Sequence, residues 1–256
     1  MEMTSYEPGT PSWIDIGVPN LGAALSFYGG LFGWEFDEPN EAAGGYSQAR
    51  LRGHAVAGFG PQMSPGAPFW TTYISTVDAD ASAAAVAAAG GQVVMAPMDV
   101  MDVGRMAVLT DPAGAFFCVW QPKLHPGAGL VNEPGTLCWN ELATREPTEA
   151  KAFYATVFGW GAQDNPMGPD EVYTEWQLGD RSIGGMMTLD DRFPAEVPDH
   201  WLAYFAVEDA EAAAARIAEL GGAIIQGPFP SPAGTIAIAK DPAGAIFAVI
   251  ALSAEM

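Results

Sequence analysis

Residues 13–18 form a short apolar run rich in β-formers, closed by Pro19-Asn20, and apolar positions then return at Leu21, Leu25, Tyr28 and Leu31/Phe32. The run predicts a strand and the spacing after it a helix with one buried stripe. Further on, residues 78–89 and 208–220 are Ala-rich, start on acids and stop at Gly-Gly. Acids suit a helix N-terminus and glycine a left-handed C-cap, so both stretches read as helices. Pro147 falls in the first turn of a further helix, where its missing N–H costs little. Two Asp-Pro-Ala-Gly-Ala turns each lead into an apolar strand, at 116–120 and 246–251.

These elements occur twice. Ser12-Trp13-Ile14-Asp15-Ile16 is answered by Cys138-Trp139-Asn140-Glu141-Leu142, Phe27-Tyr28 by Phe153-Tyr154, and Phe32-Gly33-Trp34 by Phe158-Gly159-Trp160. Phe69-Trp70-Thr71-Thr72-Tyr73 matches His200-Trp201-Leu202-Ala203-Tyr204, and Gly90-Gly91 matches Gly221-Gly222. Asp111-Pro112-Ala113-Gly114-Ala115 recurs unchanged from Asp241. Blocks repeated in the same order mark a tandem duplication. We divide the chain into a first domain at 10–121, a linker at 122–136 and a second domain at 137–253. The linker holds Pro122, Pro126 and Pro134 and little periodicity, which predicts an exposed connector.

Composition narrows the function classes. Apolar residues make up 49% of the chain and charged residues 16%, enough for well-packed cores. The net charge is −21, and both halves share it: 12 acidic against 4 basic side chains up to residue 126, and 19 against 6 after it. Neither half carries a basic arm, so phosphate backbones and anionic membranes would be repelled. Nucleic acid and membrane are therefore not expected partners. Cys118 and Cys138 form no CxxC, no apolar run is long enough to span a bilayer, and no basic, apolar leader opens the sequence. A cytoplasmic location with free thiols is expected.

The hydrophobic–Asp/Asn–Leu turn before an Ala..Phe-Tyr helix, the Phe-Gly-Trp block and the Asp-Pro-x-Gly turn resemble the vicinal oxygen chelate superfamily of glyoxalases, bleomycin-resistance proteins and dioxygenases. Phe-Gly-Trp, Trp-x-x-Tyr, Gly-Gly and Asp-Pro-Ala-Gly-Ala together resemble its two-domain bacterial members, labelled glyoxalase-like or hydroxylases. The resemblance implies an α+β fold of tandem βαβββ modules, two per domain, forming cupped mixed sheets with helices outside. It also implies a monomer, since the fused halves supply what a dimer supplies in single-domain members.

Metal-using members offer a His, Gln or Glu from the first strand, a His from the strand after the first module and a Glu from the last strand. Carried over, these positions fall on Trp13 and Trp139, on Trp70 and Trp201, and on Cys118 and Ala248. Indole offers no lone pair to a metal, and one cysteine is short of the three ligands a site needs. No metal and no cofactor are therefore expected. Aromatic and thioether surface takes their place, with Trp13, Trp70, Phe116 and Trp120 expected in the first cup and Trp139, Met186, Trp201 and Phe205 in or near the second. Such walls suit a flat apolar ligand, although core filling would explain each side chain singly.

Side chains two apart share a strand face, so Asp15 stands beside Trp13 and Glu141 beside Trp139, both aimed into the cups. A carboxylate there is costly unless paired, and burial raises its pKa toward neutrality. Asp15 and Glu141 are thus candidate general acids or bases, or anchors for a ligand hydroxyl. His200, next to Trp201, is expected to point away or to sit at the strand end. Gly58-Phe59-Gly60 and Gly184-Gly185 lie on strands and are not phosphate loops. Three functions follow: metal-independent binding of a hydrophobic, aromatic small molecule for sequestration, delivery or tailoring; a metal-free enzyme using Asp15 or Glu141; and a metal-dependent glyoxalase-type lyase or dioxygenase.

Overall fold

The computed structural model describes residues 1–63, 65–168 and 171–253. In the first half, β1 (Pro11–Val18) leads to α1 (Leu21–Phe32), then β2 (Glu35–Phe36), β3 (Ser47–Leu51) and β4 (His54–Pro61). A second module follows: β5 (Trp70–Ser75), α2 (Ala79–Ala88), β6 (Gln92–Val100), β7 (Gly104–Thr110) and β8 (Phe116–Pro122). The other half repeats this with β9 (Leu137–Thr144), α3 (Pro147–Phe158), β10 (Gly161–Pro166), β11 (Val172–Leu178) and β12 (Arg181–Thr188). It ends with β13 (His200–Ala206), α4 (Ala210–Glu219), β14 (Ala223–Ser231), β15 (Gly234–Lys240) and β16 (Ile246–Leu252).

Each half is one mixed eight-stranded sheet, ordered β2-β3-β4-β1-β5-β8-β7-β6 and β10-β11-β12-β9-β13-β16-β15-β14. The expected α+β fold with two βαβββ modules per half is what forms. Local chemistry fixes the helix ends. Asn20, Asp78 and Asp209 accept from the backbone N–H three residues on, and Gly33 and Gly159 close α1 and α3 in the left-handed conformation at φ of 71°. The acids at the starts of the Ala-rich stretches are therefore caps, and Glu208 lies just outside α4.

The two sheets sit back to back. Their convex faces meet at the centre, where the Thr72 hydroxyl donates to the Asn140 side-chain oxygen at 2.8 Å, and the helices fill the seams on either side. One core joins α1 and β1 to β13, α4 and β16, with Phe32 and Phe205 rings 4.9 Å apart. The other joins α2 and β8 to α3, β11 and β12. Both are therefore shared between halves. The helices lie outside the cups as expected, each burying one face in the seam between halves and exposing the other.

The repeated Asp-Pro-Ala-Gly-Ala turn explains part of this pairing. Asp111 accepts from the Ala115 N–H and Asp241 from those of Ala243 and Ala245, while Gly114 and Gly244 take positive φ. The other carboxylate oxygen of each reaches the opposite half, where Tyr28 donates to Asp241 at 3.1 Å and Tyr154 to Asp111 at 3.2 Å. Each tyrosine in turn accepts from an indole, Trp70 at 3.1 Å and Trp201 at 3.0 Å.

The connector departs from expectation. Ala128, Leu130, Gly135 and Thr136 are buried, with Leu130 only 1% exposed. Its N–H groups at Ala128 and Gly129 donate to Ser12 and Ala55, the strand ends that edge the first cup. Pro and Gly content signalled irregular backbone correctly, but not that this backbone finds partners on the sheet. Among the described residues, no helix is long and apolar enough to cross a membrane.

Candidate functional site

The concave face of each sheet carries one carboxyl held by aromatic donors, half-buried Asp15 in the first and buried Glu141 in the second. In the first cup Tyr73 donates to Asp15 at 2.8 Å and Tyr46 at 3.3 Å, and the Trp13 N–H donates to Tyr46 at 3.0 Å. In the second, Tyr204 donates to Glu141 at 2.8 Å and Trp139 to Tyr173 at 2.8 Å, with Tyr173 near Glu141. The parallel pairing of β1 with β4 sets Gly58 beside Asp15, and that of β12 with β9 sets Gly185 beside Glu141. A Cβ at either glycine would overlap the hydroxyl of Tyr46 or Tyr173, so glycine is what lets each phenol reach its carboxyl.

Burial pushes Asp15 up to about 6, against the pull of hydrogen bonds from Tyr73, Tyr46 and Thr71. Burial raises Glu141 as well, against Tyr204 and Tyr173. All four phenols are pushed up by burial first and the neighbouring carboxyl second, so they remain donors. The result in the first cup is a carboxyl, Asp15, that can change charge near neutrality inside an array of fixed donors. Such a group can exchange a proton with a bound molecule or orient its hydroxyl or carbonyl.

Of the residues expected in the cups, Trp13, Asp15, Trp120, Trp139 and Glu141 face them. Phe116 is 41% exposed at the end of β8, against Phe69. Trp70, Met186, Trp201 and Phe205 are corrected: all four point backwards into the cores between the sheets. The cause is a slip of one residue, which reverses a strand's faces. Asp15 pairs with Thr71 and Trp13 with Tyr73, and Glu141 with Leu202 and Trp139 with Tyr204, so these four share the cup face. His200 sits at the strand end, one of its two expected places, as the first residue of β13. Its ring Nδ1 lies 2.8 Å from the Pro198 carbonyl oxygen.

The four tyrosines were missed, although Tyr73 and Tyr204 lie inside the repeated Trp-x-x-Tyr block. Tyr46 and Tyr173 recur at almost the same interval as Trp13 and Trp139. Two surface hollows of about 360 and 330 Å³ lie at the helix seams, around Phe32 and Arg216 and around Phe153 and Pro112. Neither includes a cup residue.

Residues 10–119 and 136–249 each match the Glyoxalase/Bleomycin resistance protein/Dioxygenase superfamily. The chain belongs to this superfamily. Among its relatives, "Putative glyoxylase CFP32" of Mycobacterium tuberculosis (strain CDC 1551 / Oshkosh) is 44% identical over 255 residues, 96% of each chain. The anthracycline biosynthesis protein DnrV of Streptomyces peucetius is 38% identical over 98% of this chain and 96% of its own. A Mn(II)-bound glyoxalase from Novosphingobium aromaticivorans superposes with a TM-score of 0.66 at 16% identity, over 95% of this chain and 82% of its own. The 2,3-dioxygenase LapB of Pseudomonas sp. KL28 gives 0.66 at 14%, over 96% and 93%. These two structures show the shared fold.

The superfamily's metal can be tested against the residues present. Trp13 and Trp139 stand seven residues before the helix N-caps Asn20 and Glu146. The same count from the caps Asp78 and Asp209 lands on Thr71 and Leu202, which face the cups. The three ligand places therefore hold Trp13, Thr71 and Cys118 in one cup and Trp139, Leu202 and Ala248 in the other. Burial and the Asp15 charge push the Cys118 thiol well up, keeping it protonated. Among the described residues, no three His, Cys, Asp or Glu side chains gather as a metal would require. The residues do not fit a transition metal.

Proposed function

We propose that this superfamily member binds a hydrophobic, aromatic small molecule in its cupped sheets without a metal, the buried carboxyl meeting a hydroxyl or carbonyl of the ligand. The observation that carries this reading is the array of one carboxyl, two phenols and one indole in each cup. In it the indole donates to one phenol, and phenol hydroxyls donate to the carboxyl. The aromatic wall offers stacking and edge contacts, and a carboxyl set among phenols discriminates for polar substituents on an otherwise flat ring system. The likeness to an anthracycline biosynthesis protein over nearly the whole chain supports a polycyclic aromatic class. We read the chain as a monomer, because the convex faces that would otherwise seek a partner are buried against each other.

The test is a titration with 1,8-dihydroxyanthraquinone followed by tryptophan fluorescence, before and after exhaustive chelation. Saturable quenching that survives chelation is expected, as is at least a tenfold loss of affinity on Glu141→Gln. Binding that appears only when a divalent metal is restored would overturn the reading. A second reading, acid–base catalysis, is favoured by the Asp15 pKa of about 6. It requires turnover that rises or falls through that pH and disappears in Asp15→Asn or Glu141→Gln while binding persists.

A further inference from the structure

The duplicated cups share their array but not their contents. In the first, the apolar cluster on the concave face includes Met3, Tyr6, Ala128 and Val131, none of which belongs to the sheet. The connector lays His125 edge-on against Trp13, with ring centroids 4.4 Å apart and planes at 84°. Trp120 donates its N–H to the His125 carbonyl at 2.8 Å, and Tyr6 donates to the Ala128 carbonyl at 2.7 Å. Burial pulls the His125 pKa down to about 4, so the ring is neutral. Trp13 is left 3% exposed. The open remainder of this cup is the end where Asp15 lies half-buried.

The matching cluster in the second cup is made by the sheet and the β14–β15 turn alone: Leu202, Tyr204, Ala248 and Ile250, with Cys138, Trp139, Ala233, Ile236 and Ile238 around them. Trp139, the counterpart of Trp13, is half-buried, and among the described residues no imidazole or other ring covers it. Its N–H is already given to Tyr173, so what it has left to offer is an apolar face. The first cup therefore shows, with the protein's own chain, what a cup of this design accepts: a flat, neutral aromatic ring edge-on to the indole, with aliphatic groups beside it.

We propose that the second cup is the ligand site and the first is permanently occupied by the connector. A single planar, uncharged aromatic ring system would dock against Trp139 in the place that His125 takes against Trp13. Its polar substituent would reach the Glu141–Tyr204 pair, and Ile236 and Ile238 would form the outer wall. This rests on the proposed small-molecule reading and adds to it which cup works, which ring orientation is taken and a stoichiometry of one.

Calorimetric titration of the intact protein with 1,8-dihydroxyanthraquinone should give one site per chain. In protein carrying 5-fluorotryptophan, the ¹⁹F resonance of Trp139 should move on saturation and that of Trp13 should not, the two being assigned with Trp139→Phe and Trp13→Phe. Filling the second cup by Ile238→Trp should weaken binding at least tenfold, while Val108→Trp at the matching place in the first cup should leave it within twofold. The fluorine measurement needs no cup-filling variant and decides the matter if either fails to fold. A stoichiometry of two, movement of the Trp13 resonance, or loss of binding in Val108→Trp alone would overturn the assignment while leaving the small-molecule reading intact. Absence of any binding to the wild-type chain would instead remove the reading beneath it.

Discussion

The two cups hold the same carboxyl, phenol and indole groups at similar distances, yet one indole is sealed beneath the connector and the other is half-exposed. Duplication kept the array in both halves and let the surroundings diverge. Asp15 retains some exposure at its mouth, while the longer Glu141 folds further in and is 5% exposed. A polar array retained in both places is consistent with bracing three strands together, a task either cup requires. Access to the indole differs, and access is what a ligand needs.

The largest effects should come from side chains that the cups do not contain. Trp70→Ala and Trp201→Ala each empty a large volume between the sheets and strip the hydrogen bond from Tyr28 or Tyr154, so each should cost about 3–5 kcal/mol in denaturant unfolding. Unchanged stability with lost ligand binding would return these residues to the cups. Next come Gly58→Ala and Gly185→Ala, where the added methyl displaces Tyr46 or Tyr173 from its carboxyl. Losses of about 1–3 kcal/mol are expected, similar in the two halves if the arrays serve the same structural role. A loss confined to one half would show that only one array braces the sheet.

The pH dependence sharpens the comparison further. Because the Asp15 pKa is raised on folding, its contribution to stability is fully present below the unfolded value near 4 and is lost as pH rises through about 6. At roughly 1.4 kcal/mol per unit, reduced by the residual exposure at the mouth, Asp15→Asn should make the protein more stable than wild type by about 2 kcal/mol at pH 8. The difference should vanish below pH 4. Thermal unfolding across this range measures it, and Glu141→Gln should show the same sign. The smallest effects belong to the bonds that join the halves. Tyr28→Phe and Tyr154→Phe should each cost about 1 kcal/mol, and the double variant should sum them to within about 0.5 kcal/mol. A strongly non-additive pair would mean that the two seams communicate.

Where the chain signals its own geometry, the sequence was legible. Asn20, Asp78 and the Asp-Pro-Ala-Gly turns mark ends of elements through local hydrogen bonds and positive φ, and these stand where expected, while Asp209 caps α4 one residue after the expected start at Glu208. The faces of β5 and β13 were not legible. Their backs pack on the opposite sheet and their fronts on aromatic cup residues, so Trp70-Thr71-Thr72-Tyr73 and Trp201-Leu202-Ala203-Tyr204 lack the alternation that would fix a register. Only the count back from Asp78 and Asp209 breaks the tie. Asp15 and Glu141 were found because an acid two residues from a strand tryptophan is conspicuous. Their tyrosine partners come from distant strands and were not. The buried connector was missed because proline and glycine report backbone irregularity and say nothing of what that backbone touches.

The cores divided between halves give the duplication a consequence for how this protein comes apart. The repeat seen in the sequence runs from β1 to β8 and again from β9 to β16, but the two large cores are each divided between the repeats, and only the smaller cup clusters belong to one of them. Phe205 and Phe247 are packed by α1, and Ile74 and Phe117 by α3 and its neighbours. The unit of inheritance is therefore not the unit of cooperative unfolding. Expressed separately, the two repeats should be sticky fragments that regain native structure only when mixed, and the intact chain should melt in a single transition.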